Sequence, residues 1–215
     1  MPWQQLADLP FARALTGHPS ELADDEAYDG DHFDGLDLAG ADGTGSHFLE
    51  CAFTKVALQD TRLDRADFGD VWLSDCRLIS VSLARTAWRD VTFTGVALAG
   101  VEVFGSHLRR VTFDRCKLDG VNFRDCDLID VTFDNCVLRD VDFGEARLTK
   151  TRFPQSRLSG ARLVKVRLSQ VDLRGAELGL VIDPPALGGA IVTSGQLQAM
   201  APLLAESIGI IVDDE

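Results

Sequence analysis

Large apolar side chains recur at every fifth position over most of this chain. Steps of five from Tyr28 to Leu178 visit 31 positions, and all but Gly43 carry one. Two residues before each lies a second slot. From Ala41 to Ala176 that slot holds only Ala, Val, Cys, Ser or Thr. The other three positions of each five are mostly polar, charged or Gly. A period of five fits neither an α-helix, with 3.6 residues per turn, nor a flat strand, with 2.0. It fits a chain that turns a corner every five residues. The small and large slots are two apart along a short extended stretch, so both point inward. Four corners close a square coil of about 20 residues, and coils stack at the strand spacing of roughly 4.8 Å.

Residues one coil apart then line one inner wall. One predicted wall runs Phe33, Phe53, Leu73, Phe93, Phe113, Phe133, Phe153 and Leu173; the next, from Leu38 to Leu178, is all leucine. Residues 28–182 form a rod roughly 36 Å long at that spacing. Gly43 leaves a hole beside Gly45, which predicts an irregular first coil.

The unit resembles that of the pentapeptide-repeat family, small-polar-Leu/Phe-polar-Gly. The clearest copies are Val121-Asn122-Phe123, Val141-Asp142-Phe143-Gly144 and Val171-Asp172-Leu173-Arg174-Gly175. The resemblance implies an all-β, right-handed quadrilateral parallel β-helix; the handedness comes from the family and not from the period.

A stacked coil exposes its core and unpaired backbone at each end, and both need covers. Residues 1–27 hold Trp3, Leu6, Leu9, Phe11 and Leu15, which suit a short helical lid broken by Pro10. At the far end the frame breaks at Asp183-Pro184-Pro185 and resumes one residue out of phase at Leu187, Ala190 and Val192. Residues 183–215 therefore read as a partial coil, a helix and a tail. Ser194 is the expected cap, Gly209 the expected end, and Pro202 is expected to kink the helix or start a second one. Leu197, Met200, Leu203, Leu204 and Ile208 form an apolar face that Ile210 and Val212 continue. This tail resembles the C-terminal module of the quinolone-resistance branch of the family, which implies an end-to-end homodimer through these residues. A monomeric lid is the alternative.

Composition narrows the chemistry. The formal net charge of −13 disfavours direct binding to nucleic-acid phosphates. No run of 18 apolar residues suits a membrane span, and MPWQQLADLP does not suit a signal peptide. Five cysteines without CxxC spacing point to reduced thiols and a cytoplasmic setting rather than disulfides or zinc. All five, Cys51, Cys76, Cys116, Cys126 and Cys136, fall in the small slot, with Cys116 and Cys136 one coil apart. Of the four histidines, His32, His47 and His107 precede core residues and read as solvated; His18 lies in the N-terminal segment. No catalytic set or phosphate loop stands out, and a filled axis leaves no obvious pocket. The expectation is a non-enzymatic protein with no cofactor and no metal.

The resistance branch imitates duplex DNA on gyrase and related topoisomerases, so the resemblance implies gyrase as a partner. The uninterrupted frame is similar to the mycobacterial member, which lacks projecting loops. The charge is uneven, however. Residues 1–50 carry eleven acidic side chains and one basic. Within the rod, Asp119, Asp125, Asp127, Asp130, Asp134, Asp140, Asp142 and Glu145 form an acidic band containing Arg124 and Arg139. A basic band follows: Arg147, Lys150, Arg152, Arg157, Arg162, Lys165, Arg167 and Arg174. A uniform DNA mimic would not alternate in this way, and a rigid scaffold for a non-topoisomerase protein is the alternative. Leu49, Trp72, Ile79, Phe104, Ile129 and Val137 occupy outward slots. Trp72 and Phe104 are the candidate partner contacts, or else pack against a terminal lid.

Overall fold

The computed structural model describes residues 3–182 and 187–211. The inward pair of slots dictates its form: a parallel β-solenoid of about eight turns. Each turn contributes short strands such as His47–Leu49, Ala52–Thr54 and Ala57–Gln59. Each strand pairs in parallel with the one 20 residues on, as in Phe93↔Phe113↔Phe133 and Leu98↔Leu118↔Leu138.

The rod has four faces, each named here by its first core residue. The Tyr28, Phe33 and Leu38 faces form sheets of eight, six and seven strands. The Gly43 face is held by single bridges, among them Arg62↔Ser82, Ser82↔Glu102 and Glu102↔Asn122. The aromatic wall is continuous where the spacing predicts it: Phe113 stacks on Phe133 at 4.8 Å, and Phe133 on Phe153 at 5.0 Å. The adjoining Tyr28 wall is also aromatic over its first half, with Tyr28 on Phe48 at 5.0 Å and Phe48 on Phe68 at 4.9 Å.

The small slot is selected by chemistry as well as by space. Hydroxyls and thiols there donate to the carbonyl 23 residues earlier, as in Thr61 to Leu38, Cys76 to Phe53, Ser106 to Leu83 and Ser156 to Phe133. Most Ser, Thr and Cys thus sit in the core with their polar atom satisfied; Thr151 Oγ1 is the exception, buried without a hydrogen-bond partner.

The corners have their own rule. Every multiple of five from 25 to 175 is in the left-handed region, with φ between 50° and 81°, although only a third of these are glycine. Asp and Asn tolerate that region better than most residues and supply nine of the others.

The first coil keeps the left-handed corners of the others but on its Leu38 face holds a single bridge, Asp37↔Ala57, in place of a strand; Leu22 is buried beside Gly43 and takes the missing volume. The N-terminal segment divides: Gly17 bridges Asp31 and Leu22 joins the core at the end of the first coil, whereas the residues before them run along the rod. Among the described residues its helical piece is a 3-10 turn at Leu6–Asp8, and this part lies along the Phe33 face. There Leu9 and Phe11 pack on Ala52 and Trp72, and the Trp3 carbonyl accepts from Thr94.

At the far end the break at Asp183-Pro184-Pro185 lies outside the described residues. Beyond it Ala190–Ile191 pairs with Val171–Asp172 at a spacing of 19, one residue out of phase. One helix, Ser194–Ser207, runs through Pro202 without dividing. Its cap is Thr193 rather than Ser194, because the Thr193 hydroxyl accepts from the Gln196 amide. Gln196 Nε2 donates to the carbonyls of Leu173 and Ala176 at the end of the ladder.

Two substitutions test this account. Phe133→Ala removes a fully buried ring from the stack and should cost about 3–5 kcal/mol in chemical denaturation. Lys55→Gly, at an exposed corner with φ 54°, should instead raise stability by about 0.5–1 kcal/mol, since glycine adopts this region without steric cost.

Candidate interaction surface

The core packs tightly, with one void of about 20 Å³ among its aromatic and leucine side chains, so chemistry is confined to the outside of the rod. The outside is not featureless. A groove of about 860 Å³ runs along the Phe33 face, contrary to the expectation that a filled axis leaves no pocket. Side chains standing outward from a flat face, together with the N-terminal segment laid beside them, make concavities that the core pattern does not encode.

The cysteines are buried and free. Burial pushes the Cys51, Cys76 and Cys126 thiols up to about 12. Cys116 and Cys136 do stack, the Cys116 amide donating to the Cys136 sulfur at 3.4 Å. The neighbouring Cys116 side chain, and then burial, raise the Cys136 thiol further. These thiols are packing groups rather than nucleophiles.

His47 and His107 lie on the Tyr28 face three coils apart, each against its own carboxylate: Asp67 at 3.1 Å and Asp127 at 3.3 Å. His32 is half-buried and bonded to Thr54 Oγ1 at 2.9 Å. Among the described residues, no group of three or more His, Cys, Asp or Glu is placed to hold a metal.

The acidic band scatters when it folds. Asp119 falls on the Leu38 face, Asp127 on the Tyr28 face, Asp134 on the Phe33 face and Asp142 on the Gly43 face. Asp125, Asp130, Asp140 and Glu145 stand at corners. Most are paired with an arginine about one coil away. Arg139 reaches Asp119 at 3.3 Å, Arg147 reaches Asp127 at 3.1 Å and Arg152 reaches Asp130 at 3.6 Å. Arg124 bridges Asp142 and Glu145 at 3.5 and 2.6 Å, and Arg162 lies 3.9 Å from Asp142. Asp125, Asp134 and Asp140 stand outside these ion pairs. The two bands that look separate along the chain therefore interleave around the rod as an acid–base patchwork. The sequence shows the order of the charges, but only the 20-residue register shows which of them meet.

The apolar candidates also separate. Trp72 is 3% exposed, sealed under the N-terminal segment with its indole N–H on Thr94 Oγ1, so it is not a partner contact. Phe104 is exposed, as are Leu49, Ile129 and Val137. At the C-terminal module Met200 is buried and Leu204 packs on the core, so these two act as lid. Leu203 is half-buried. Leu197, Ile208 and Ile210 are exposed, and Ile211, which sequence reasoning does not single out, is 90% exposed. Val212 lies outside the described residues.

One ion pair has a pH signature. Arg110 donates to both Asp90 oxygens, at 2.6 and 2.5 Å, and this holds the Asp90 carboxyl below its usual range. A depressed carboxyl stabilises the fold above the ordinary Asp value of about 4 and loses that contribution as pH falls through its folded value. Arg110→Gln should therefore lower the urea midpoint at pH 6–7, and the gap from the parent protein should close near pH 2.

The comparisons with known proteins agree with this architecture. The chain resembles two trypsin-treated variants of QnrB1, a plasmid-mediated fluoroquinolone resistance protein. One superposes with a TM-score of 0.54 at 18% identity over 92% of this chain and 99% of that one. The other gives 0.53 at 19% identity over 92% and 97%. Identity at this level speaks for the fold alone. A search of curated proteins finds no match. The family model "Pentapeptide repeat region" matches residues 46–123 and 106–181, together more than half of the chain. These matches fall on the same run of residues as the corners, the small slot and the stacked walls: the chain belongs to the pentapeptide-repeat family.

Proposed function

We propose that the protein acts without catalysis, as a rigid protein-binding rod in the cytoplasm that pairs with a second copy through its C-terminal module. The observation that carries this reading is the division of the molecule into a filled axis and four outward faces. The faces offer mutually paired charges and isolated exposed apolar side chains, Leu49, Phe104, Ile129 and Val137. Such a surface suits a partner protein better than a reacting substrate. Free, buried cysteines fit a reducing compartment. Leu197, Ile208, Ile210 and Ile211 are exposed apolar side chains of the C-terminal module beyond what the lid covers, and a second copy would bury them.

A second reading makes gyrase the partner, with the rod standing in for duplex DNA and shielding the enzyme from quinolones. The near full-length likeness in fold to QnrB1 favours it. The charge pattern weighs against it, because a phosphate ladder calls for unpaired acids along one face, and Asp119, Asp127, Asp130, Asp142 and Glu145 each have an arginine within 4.0 Å.

Purified gyrase separates the two readings. The scaffold reading expects supercoiling and quinolone-stabilised cleavage to be unchanged by micromolar protein. Inhibition of supercoiling together with relief of cleavage would replace it with the DNA-mimic reading. Sedimentation equilibrium tests the pairing: the parent protein should be a dimer, and Ile208→Asp with Ile210→Asp a folded monomer. A monomeric parent would overturn the dimer.

A further inference from the structure

The groove on the Phe33 face has a chemistry that neither protein partner calls upon. Its floor is a ladder of threonines, Thr92, Thr112 and Thr132, in register on successive coils. Their hydroxyls rise at about 4.8 Å per rung, the spacing of the strands that carry them, which is close to the rise of an extended pyranose unit. One wall carries the bidentate Asp90–Arg110 pair. Arg174 closes on Asp172 at 2.9 and 2.7 Å along the same groove, and Arg152 donates to Thr132 Oγ1 at 3.2 Å. Trp3, brought over by the N-terminal segment, is half-buried and lines the groove as an aromatic surface.

Charge decides the class of ligand. The lining holds four carboxylates, Asp70, Asp90, Asp134 and Asp172, against three guanidinium groups. A groove so nearly balanced attracts neither a polyanion nor a polycation. It offers closely spaced planar acceptors and donors, hydroxyls and an aromatic face, which together suit vicinal hydroxyl groups on a ring with an apolar side. The volume lies within the range of ordinary ligand sites. The wall is partly desolvated, since burial, and then the neighbouring Asp90, push the Asp70 carboxyl up from its usual range.

We propose that this threonine-floored groove is a binding site for a neutral, linear oligosaccharide. The sugar rings lie along the rod, their hydroxyls on the Thr92–Thr112–Thr132 ladder and the Asp90–Arg110 pair, with one ring face against Trp3.

The test is titration calorimetry on the full chain, paired with amide chemical-shift mapping. The probes are cellotetraose, maltotetraose and chitotetraose, with oligogalacturonate and spermidine as charged comparisons. At least one neutral tetraose should bind with a dissociation constant of about 1 mM or tighter, and its shifts should centre on Thr92, Thr112 and Thr132. Thr112→Arg, which fills the floor from an outward position, should weaken that binding at least about tenfold, a loss of ~1.4 kcal/mol. Ala97→Arg on the Leu38 face should leave it unchanged. Trp3→Ala removes the aromatic surface from a half-buried position outside the solenoid's stacked walls and should also weaken it, so the proposal stays testable if Thr112→Arg unfolds. Three results would overturn the site: no heat or shift with any neutral tetraose, tighter binding of either charged probe, or binding that Thr112→Arg and Trp3→Ala both leave intact.

Discussion

Backbone pairing between coils one 20-residue turn apart is the constraint on which the rest of the molecule depends. The His47, Ala52 and Ala57 amides reach back to Glu26, Asp31 and Leu36, while Gly30, Gly35 and Gly40 reach forward to Leu49, Thr54 and Gln59. Coils are thus tied to their neighbours in both directions along the rod. Once the register is set, side chains can only stack in columns, and rings such as Phe113 and Phe133 fall over one another. Polar small-slot residues such as Thr61, Ser106 and Ser156 then find the carbonyl of the coil beneath. The left-handed corners are strained at most non-glycine positions, and that strain is tolerated because each corner is fixed between two coils that are themselves paired.

The parts of this that are legible in the sequence are those that repeat. The large slot, the small slot and the phase slip at Leu187 follow from counting, because an error in any one unit would throw the next side chain out of the core. The rest depends on which residues meet across the coils or across the ends. Nothing local announces that Leu22 will fill the space left by Gly43; that Trp72 packs under a terminal segment is one of two readings open to the sequence, and only the fold shows that Leu9 and Phe11 supply the cover. The helix cap falls at Thr193, one residue before the expected Ser194; the two are equivalent by type, and only the reach of Gln196 distinguishes them. The acidic and basic bands are plain in the sequence, but pairs such as Arg147 with Asp127 exist only in the folded register. The groove is invisible for the same reason: its threonines are 20 residues apart, and its tryptophan comes from the far end of the chain.

This architecture separates stability from function. The axis carries the folding energy and tolerates little variation, while outward positions are free to hold arginine on one coil and glycine on the next. Recognition on such a scaffold is a property of columns and faces, not of loops. That is why the paired charges, the exposed C-terminal apolar residues and the threonine ladder each read as a surface with its own chemistry.

The most direct test of the central claim is a nuclear Overhauser map of the protein in solution. Paired coils predict backbone contacts between residues i and i+20 across 28–178, with the rings of Phe93, Phe113 and Phe133 in mutual contact. Contacts between i and i+3 through that region, or a solvent-exposed Phe133 ring, would contradict the account.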